Sequence, residues 1–274
     1  MIKKDVQDKD FNNVESFMNI DFFEEFPTEE NLKKAQLISF PATIYLAAEN
    51  LSQYKNAQML LESYNPALKS AYWPLLAKSY WFSPFSHQEE LAKLYLELQE
   101  KPQKETLSVL LDLELPFLNK KLFFINWRSF RHNKKMIQQY FQDSQKLNIA
   151  IMTAEYPLPT FFWQRLMEWL GISFSPKKYP HQKILMYYTS IIPQKYLPFV
   201  RWYLKRKIRR YGSHLQIALG TITTGIFGNE PILIATKLDE ELAFLQKQGI
   251  EKVVIFRLGG LDHHYMEILK KYVS

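Results

Sequence analysis

The 274-residue sequence predicts an α/β fold: a (β/α) barrel of the TIM type, with seven or eight parallel strands and a short N-terminal extension. Short apolar runs alternate with amphipathic segments along most of the chain, and the runs are almost continuously hydrophobic. Strands of that kind form parallel sheets whose two faces are both covered by helices. Seven such runs within roughly 235 residues fit a closed barrel better than most open sheets.

The predicted strands each end in a polar group and precede an amphipathic segment. They span residues 41–50, 69–76, 107–116, 148–157, 183–192, 215–222 and 252–260. A doubly wound open sheet is the alternative architecture. However, neither G-x-G-x-x-G nor a phosphate-binding loop motif follows any of these strands, so the barrel is favoured.

The N-terminal region differs in composition from the rest of the chain. Residues 1–38 are rich in charge and punctuated by phenylalanine, as in FMNIDFFEEFP. We expect this region to form a helical or irregular extension that packs its phenylalanines on a barrel domain of residues 39–274. The eighth strand of the barrel is then absent or unrecognised.

The segment KLFFINW, residues 121–127, is apolar enough to be another strand. Only the five residues FLNKK separate it from Pro116, whereas a parallel crossover needs about a dozen or more. We therefore predict helical structure from Pro116 to about Gln145, with a break near His132 and Asn133.

Composition excludes several classes of protein. The chain is 47% hydrophobic, which is enough for a core, and it contains no cysteine, so disulfides, thiolate zinc sites and a cysteine nucleophile are excluded. Neither H-x-H, H-E-x-x-H nor G-x-S-x-G occurs, which disfavours zinc and serine hydrolases. No apolar run has the length of a membrane span and no secretory signal is present, so we expect a cytoplasmic protein that needs no cofactor.

The net charge of +7 favours anionic partners weakly. It is concentrated in RWYLKRKIRRYG, residues 201–212, a basic helix that also carries Trp202 and Tyr203. This helix is either a solvated outer helix of the barrel or a contact surface for a membrane or another polyanion. We do not expect nucleic acid to be the partner.

The third predicted strand, LSVLLDLELP, carries two acids where a buried strand normally carries none. Residues two apart in a strand point to the same face, so Asp112 and Glu114 point together. Leu111, Leu113 and Leu115 then face the surrounding helices, and the two acids face the barrel axis at its mouth. Two carboxylates held that close raise the pKa of one of them, which suits a general acid at neutral pH.

Other polar and aromatic residues stand at the ends of the predicted strands, where barrel enzymes place their function. Glu155 is a third catalytic candidate, and the candidate substrate-binding residues are Glu49, Trp73, Trp81, Tyr188 and Arg257. Structural alternatives exist for several of them. Carboxylates at strand ends also cap helices or pair with arginine, and the two tryptophans could simply pack a loop. Glu230 lies in a glycine-rich loop and receives no assignment.

The strand LLDLELP resembles the D-x-E strand of family 25 lysozymes and the end of the D-x-D-x-E strand of family 18 chitinases. MYYTS resembles a later strand of the family 25 barrels. The resemblance implies that Glu114 is the proton donor, that Asp112 orients or stabilises the intermediate, and that Tyr188 lines the sugar site. The sequence departs from family 18 at Leu110, which replaces the first acid, and MYYTS lacks the family's Y-x-D.

Three functions are consistent with these residues. The leading hypothesis is a carbohydrate-active barrel, a glycoside hydrolase in which paired carboxylates flank the sugar bond beside stacking aromatics. The second is a magnesium-dependent barrel acting on a phosphorylated substrate, with the metal on Asp112, Glu114, Glu155 and Glu49 and with Arg257 holding the phosphate. The third is a non-catalytic barrel that binds a glycan or a protein partner.

Overall fold

The fold is a closed barrel of eight parallel strands, each hydrogen-bonded to the next in chain order. The computed structural model describes residues 17–102, 105–116, 121–157 and 161–273. The strands are β1 (Asn19–Glu24), β2 (Thr43–Ala48), β3 (Lys69–Pro74), β4 (Leu107–Asp112), β5 (Ile149–Glu155), β6 (Gln182–Met186), β7 (Leu215–Gly220) and β8 (Lys252–Phe256). The predicted TIM-type barrel is therefore confirmed, and all seven predicted strands are present.

The eighth strand is β1, which lies inside the region expected to be an extension. It pairs with both β2 and β8, with Phe22 opposite Ile44 and Ile20 opposite Val253, and so closes the barrel. The expectation of a helical or irregular segment is wrong for these residues, and the domain boundary after residue 38 falls within the barrel. The strand was not predicted because the acidic residues of NIDFFEE interrupt the apolar run that is typical of a buried strand. Residues 1–16 of the predicted extension lie outside the described residues.

Helices cover the outside of the barrel. They are α1 (Glu29–Lys33), α2 (Leu51–Tyr64), α3 (Gln88–Glu100), α4 (Lys121–Ile125), α5 (Phe130–Asp143), α6 (Phe161–Leu170), α7 (Leu197–Tyr211), α8 (Ala235–Gln246) and α9 (His263–Lys270). No helix among the described residues is both long and apolar enough to cross a membrane.

Residues 121–125 of the segment KLFFINW are helical, as predicted, but the predicted position of the helix break is wrong. The interruption is a turn at residues 126–129, between α4 and α5, whereas Asn133 lies within α5. The side-chain amide of Asn133 is fully buried and donates hydrogen bonds to the carbonyls of Pro84 (3.0 Å) and Ser86 (2.8 Å). These tertiary partners satisfy the amide N–H groups of a side chain that local propensity would assign to a helix end. Residues 117–120 lie outside the described residues.

The core has two layers, which the alternation of side chains along each strand separates. The inner layer fills the barrel and includes Phe23, Trp73, Leu110 and Ala154. The outer layer lies between strands and helices and includes Leu111 and Leu113. Leu111 and Leu113 therefore face the helices, as predicted, and Asp112 continues the inward-facing set begun by Leu110.

Candidate active site

Asp112 and Glu114 meet at the mouth of the barrel. Asp112 is the last residue of β4, and the ladder continues for one more step because Leu113 N donates to the carbonyl of Ala154 at 3.0 Å. Both acids line a cavity of about 120 Å³ at the C-terminal ends of the strands. They are nearly removed from solvent, with 4% of Asp112 and 8% of Glu114 exposed. The spacing in the sequence thus placed the two carboxylates in one cavity.

Aromatic side chains form much of the wall of this cavity, and three of them were sequence candidates. Trp73, Trp81 and Tyr188 all line it. The ring of Trp73 lies 5.5 Å from that of Phe23, and the ring of Trp81 lies 6.3 Å from that of Phe227. Both indoles are buried, so they pack the mouth and at the same time face the carboxylates. Stacking on a substrate remains a prediction.

Two further carboxylates that sequence reasoning did not select also line the cavity: Glu25 and Glu230. Glu25 follows β1, and its Oε1 accepts a hydrogen bond from the phenol of Tyr80. Glu230 belongs to the loop after β7, and its Oε1 accepts from the backbone N–H of Phe227 at 3.0 Å. The sequence contained a signal for Glu25, because it lies two residues after the inward-facing Phe23, just as Asp112 lies two residues after Leu110.

Gly225 lies between these two acids. A Cβ atom at this position would sit 2.8 Å from Oε2 of Glu25, 2.9 Å from the ring of Phe256 and 3.1 Å from Oε1 of Glu230. The first two separations are shorter than a Cβ atom tolerates, so a larger residue here would require Glu25 and Phe256 to shift or the loop to move away from the mouth. Ile226 and Phe227, which follow it, cover part of the cavity.

Burial dominates the electrostatics of the site. It raises the pKa of Glu114 to about 7, against the opposing effect of a 2.7 Å hydrogen bond from Tyr156 and with a smaller rise from the charge of Glu25. Burial also raises the pKa of Glu25 to about 7, with the Tyr80 hydrogen bond opposing it.

The pKa of Asp112 is shifted in the same direction. Its burial, followed by the charges of Glu114 and Glu25, holds the pKa of its carboxyl well above the ordinary value. Its Oδ1 atom has no hydrogen-bond partner among the described residues, so little compensates for the lost hydration. The cluster therefore retains protons near neutral pH, and Asp112 and Glu114 titrate as a unit.

Glu155 does not join this cluster. It has the opposite orientation to its inward-facing neighbour Ala154, and it forms a 2.7 Å ion pair with Lys183 in the layer between barrel and helices. Thr153 Oγ1 and the backbone N–H of Phe174 also donate to Glu155. Both members of the ion pair are almost completely buried. The expectation that three acids converge is thus wrong for Glu155, whose surroundings are those of a structural ion pair.

Arg257 and Glu49 also lie outside the mouth cavity. Arg257 Nη1 pairs with Glu24 at 3.0 Å, and its Nε donates to the carbonyl of Thr224 at 3.0 Å, so the guanidinium ties β8 to β1 and to the loop above. Glu49 is exposed and borders two separate surface depressions.

The four acids of the magnesium hypothesis are therefore dispersed. Asp112 and Glu114 lie at the mouth, Glu155 in the outer layer and Glu49 at the surface. Within the described ranges, no group of three or more histidine, aspartate or glutamate side chains is arranged to hold a metal ion.

Comparison with known proteins finds similarity in structure alone. No family model matches the chain, and no curated protein sequence matches it significantly. The spore cortex-lytic enzyme SleL of Bacillus cereus superposes with a TM-score of 0.59 at 7% identity, covering 96% of this chain and 76% of that chain.

Two further structures match over nearly their whole length. The C-terminal domain of a putative chitinase from Desulfitobacterium hafniense has a TM-score of 0.58 at 10% identity, covering 94% of this chain and 100% of that domain. The glycoside hydrolase domain of PgaB (BpsB) from Bordetella bronchiseptica has a TM-score of 0.56 at 10% identity, and the match covers 94% of this chain and 99% of that domain. The chain shares their barrel fold. The resemblance to glycoside-hydrolase barrels is confirmed at the level of fold.

Proposed function

We propose that the protein is a carbohydrate-active enzyme that hydrolyses glycosidic bonds at the mouth of its barrel. The observation that carries the proposal is the placement of Asp112 and Glu114 on one inward face, inside a buried cavity with aromatic walls. Glycoside hydrolysis needs an acid that is protonated at the working pH beside a second carboxylate. A pKa of about 7 suits Glu114 to the first role.

Each acid has a separate task in the proposed reaction. Glu114 lies nearer the open end of the barrel and donates its proton to the glycosidic oxygen as the bond from that oxygen to the anomeric carbon breaks. Asp112 stabilises the positive charge that develops on the sugar in its ionised form, so the reaction uses the fraction of the protein in which Asp112 is ionised and Glu114 is protonated. Water then adds to the anomeric carbon and returns a proton to Glu114, so the enzyme ends in its initial state.

The walls of the cavity support a sugar as the substrate. Trp73, Trp81 and Tyr188 present flat apolar surfaces next to carboxylates, a combination that suits the apolar face and the hydroxyls of a sugar ring. The structural neighbours also support a sugar substrate, since they are described as a cortex-lytic enzyme, a putative chitinase and a glycoside hydrolase domain.

The test is a hydrolysis assay on chitin oligosaccharides, spore cortex fragments and a panel of aryl glycosides, with products identified by mass spectrometry. We expect Glu114→Gln to lower the rate at least about 100-fold, the usual scale for a positioned general acid. Glu49→Gln is the matched control, because the same change is made on an exposed acid outside the cavity.

Two outcomes would contradict the proposal. Turnover that is unchanged in Glu114→Gln would remove this residue from the mechanism. Binding to a glycan array without turnover by the unmodified protein would favour a non-catalytic glycan-binding barrel.

A further inference from the structure

A large apolar groove lies beside the carboxylate cavity. Its volume is about 740 Å³, compared with about 120 Å³ for the cavity itself. The groove runs past the ends of β5 and β6, between α6 and the start of α7. Hydrocarbon side chains make up much of its wall, namely Leu113, Leu115, Met167, Ile172, Ile192 and Val200.

The groove and the cavity share part of their walls. Tyr156, Met186, Tyr188 and Ile191 line both. Tyr156 is also the residue whose hydroxyl donates to Glu114. A molecule lying along the groove therefore reaches the carboxylates at one end, and the two spaces can hold two parts of a single ligand.

The few acidic and hydroxyl groups at the floor of the groove already have partners. Glu155 is paired with Lys183, and the Ser173 hydroxyl accepts hydrogen bonds from Gln164 at 2.8 Å and from Lys183 at 3.3 Å. A peptide or a second sugar would bring polar groups that this wall does not satisfy, which costs free energy. A hydrocarbon chain brings none.

Exposed aromatic side chains surround the opening of the groove. Trp163, Tyr196 and Phe199 line it and are respectively 46%, 52% and 48% exposed. The ring of Phe162 packs against Trp163, and the ring of Trp202 stacks on Phe199, each with centroids 5.8 Å apart. We call these five residues the aromatic rim. An exposed apolar patch of this kind is typical of a surface that meets a partner or a membrane.

Basic side chains stand directly beside the aromatic rim. Lys195 Nζ lies 5.0 Å from the centre of the Tyr196 ring, and the Arg206 guanidinium lies 4.9 Å from that of Trp202. The exposed side of α7 adds Lys205, Arg209 and Arg210. Aromatic residues flanked by lysine and arginine are characteristic of proteins that rest on anionic bilayers.

We propose that the substrate is a lipid-linked glycan whose hydrocarbon chain occupies the groove. The aromatic rim and its basic neighbours rest on an anionic membrane, from which the chain enters. This inference rests on the proposed function for the sugar end of the substrate. The groove then places the first sugar of such a molecule between the aromatic walls and Glu114.

The binding test does not depend on catalysis. Hexyl, octyl, decyl and dodecyl β-D-glucosides are titrated below their micelle concentrations, and binding is followed by calorimetry with the catalytically impaired Glu114→Gln protein. We expect affinity to rise with each added methylene by up to about fourfold, the equivalent of about 0.8 kcal/mol for a buried CH₂.

Phe199→Ser combined with Tyr196→Ser should reduce the gain in affinity per added methylene. Phe124→Ser, which alters an 84% exposed phenylalanine outside the groove, is the matched control.

A second experiment tests whether the aromatic rim and its basic neighbours bind an anionic membrane. We expect the protein to float with vesicles of phosphatidylglycerol and phosphatidylcholine more than with vesicles of phosphatidylcholine alone, and Arg206→Glu to reduce this difference. Affinity that does not depend on chain length would overturn the proposal. So would a concentration-dependent dimer that Phe199→Ser dissociates, because the occupant would then be a second copy of the chain.

The two proposals fail in different ways. Hydrolysis of aryl glycosides by the unmodified protein, without any dependence of binding on alkyl chain length, would overturn the lipid groove and retain the glycosidase. Dependence on chain length without hydrolysis of any glycoside, alkyl glucosides included, would overturn the glycosidase and with it a lipid-linked glycan substrate. Hydrolysis of dodecyl glucoside with a higher kcat/KM than hexyl glucoside is the result expected if both are right.

Discussion

Tyr156 donates a 2.7 Å hydrogen bond to Oε2 of Glu114, joining the segments that follow the neighbouring strands β5 and β4 at the barrel mouth. This bond favours the charged form of Glu114, and burial favours the neutral form. Burial has the larger effect. The hydrogen bond therefore limits a rise in the pKa that would otherwise be greater, and it keeps the value close to neutrality.

Tyr156→Phe should raise the pKa of Glu114, because it removes the donor that stabilises the carboxylate. The alkaline limb of the pH–rate profile, where the general acid loses its proton, should move to higher pH. The measurement is kcat/KM against pH for the variant and the unmodified protein. An alkaline limb that stays in place would show that another group controls it.

Stability should fall as the pH rises through the acid range. The pKa of Glu114 is about 7 in the folded protein and about 4.5 when unperturbed, so the folded state binds more protons between these values. The free energy of unfolding then decreases with pH, by up to about 1.4 kcal/mol per pH unit for each such group, and the contribution is constant above pH 7. Glu25 adds a similar contribution with the same sign.

Glu114→Gln tests this relationship. The amide cannot ionise, so the variant should gain stability relative to the unmodified protein as the pH rises from about 4.5 to 7. Urea denaturation at several pH values measures the difference, with Glu49→Gln as the control for an exposed acid. A stability difference between Glu114→Gln and the unmodified protein that does not vary with pH would show that Glu114 titrates normally.

Lys183→Met should destabilise the protein by about 3–5 kcal/mol, because it leaves the charge of Glu155 buried without its partner. Adding Glu155→Leu should recover much of that loss. Chemical denaturation gives the stabilities, and kcat of the folded double variant tests the role of Glu155. A kcat reduced 100-fold in a stably folded double variant would restore Glu155 as a catalytic candidate.

Gly225→Ala should move the loop away from the mouth. The added methyl group meets Glu25 and Phe256 at less than 3 Å, and Glu25 is held in place by Tyr80. We expect a loss of about 1–3 kcal/mol in stability, the usual cost of overpacking, together with a lower kcat/KM. Asn229→Ala, at an exposed position in the same loop, is the control. Activity equal to that of the control would show that closure of this loop does not matter.

Sequence patterns alone were enough to predict the barrel and the central pair of acids. Runs of apolar residues separated by amphipathic segments leave few alternatives to a parallel sheet covered on both faces. The period of two along LLDLEL places Asp112 and Glu114 on one face, because strand geometry is local and needs no knowledge of distant residues. The placement of Trp73, Trp81 and Tyr188 near the two acids could be predicted because all three lie at or after strand ends.

The roles of the remaining charged residues depend on contacts that form only in the folded chain. β5 carries apolar residues on both faces, so its sequence does not show that Ala154 faces the barrel and Glu155 the helices. The charge of Glu24 is balanced by Arg257, which lies more than two hundred residues away along the chain. Because the sequence does not reveal this partner, the residues of β1 were predicted to be a charged extension. A buried charge is tolerated only where the fold supplies its counterion, and the fold alone brings such partners together.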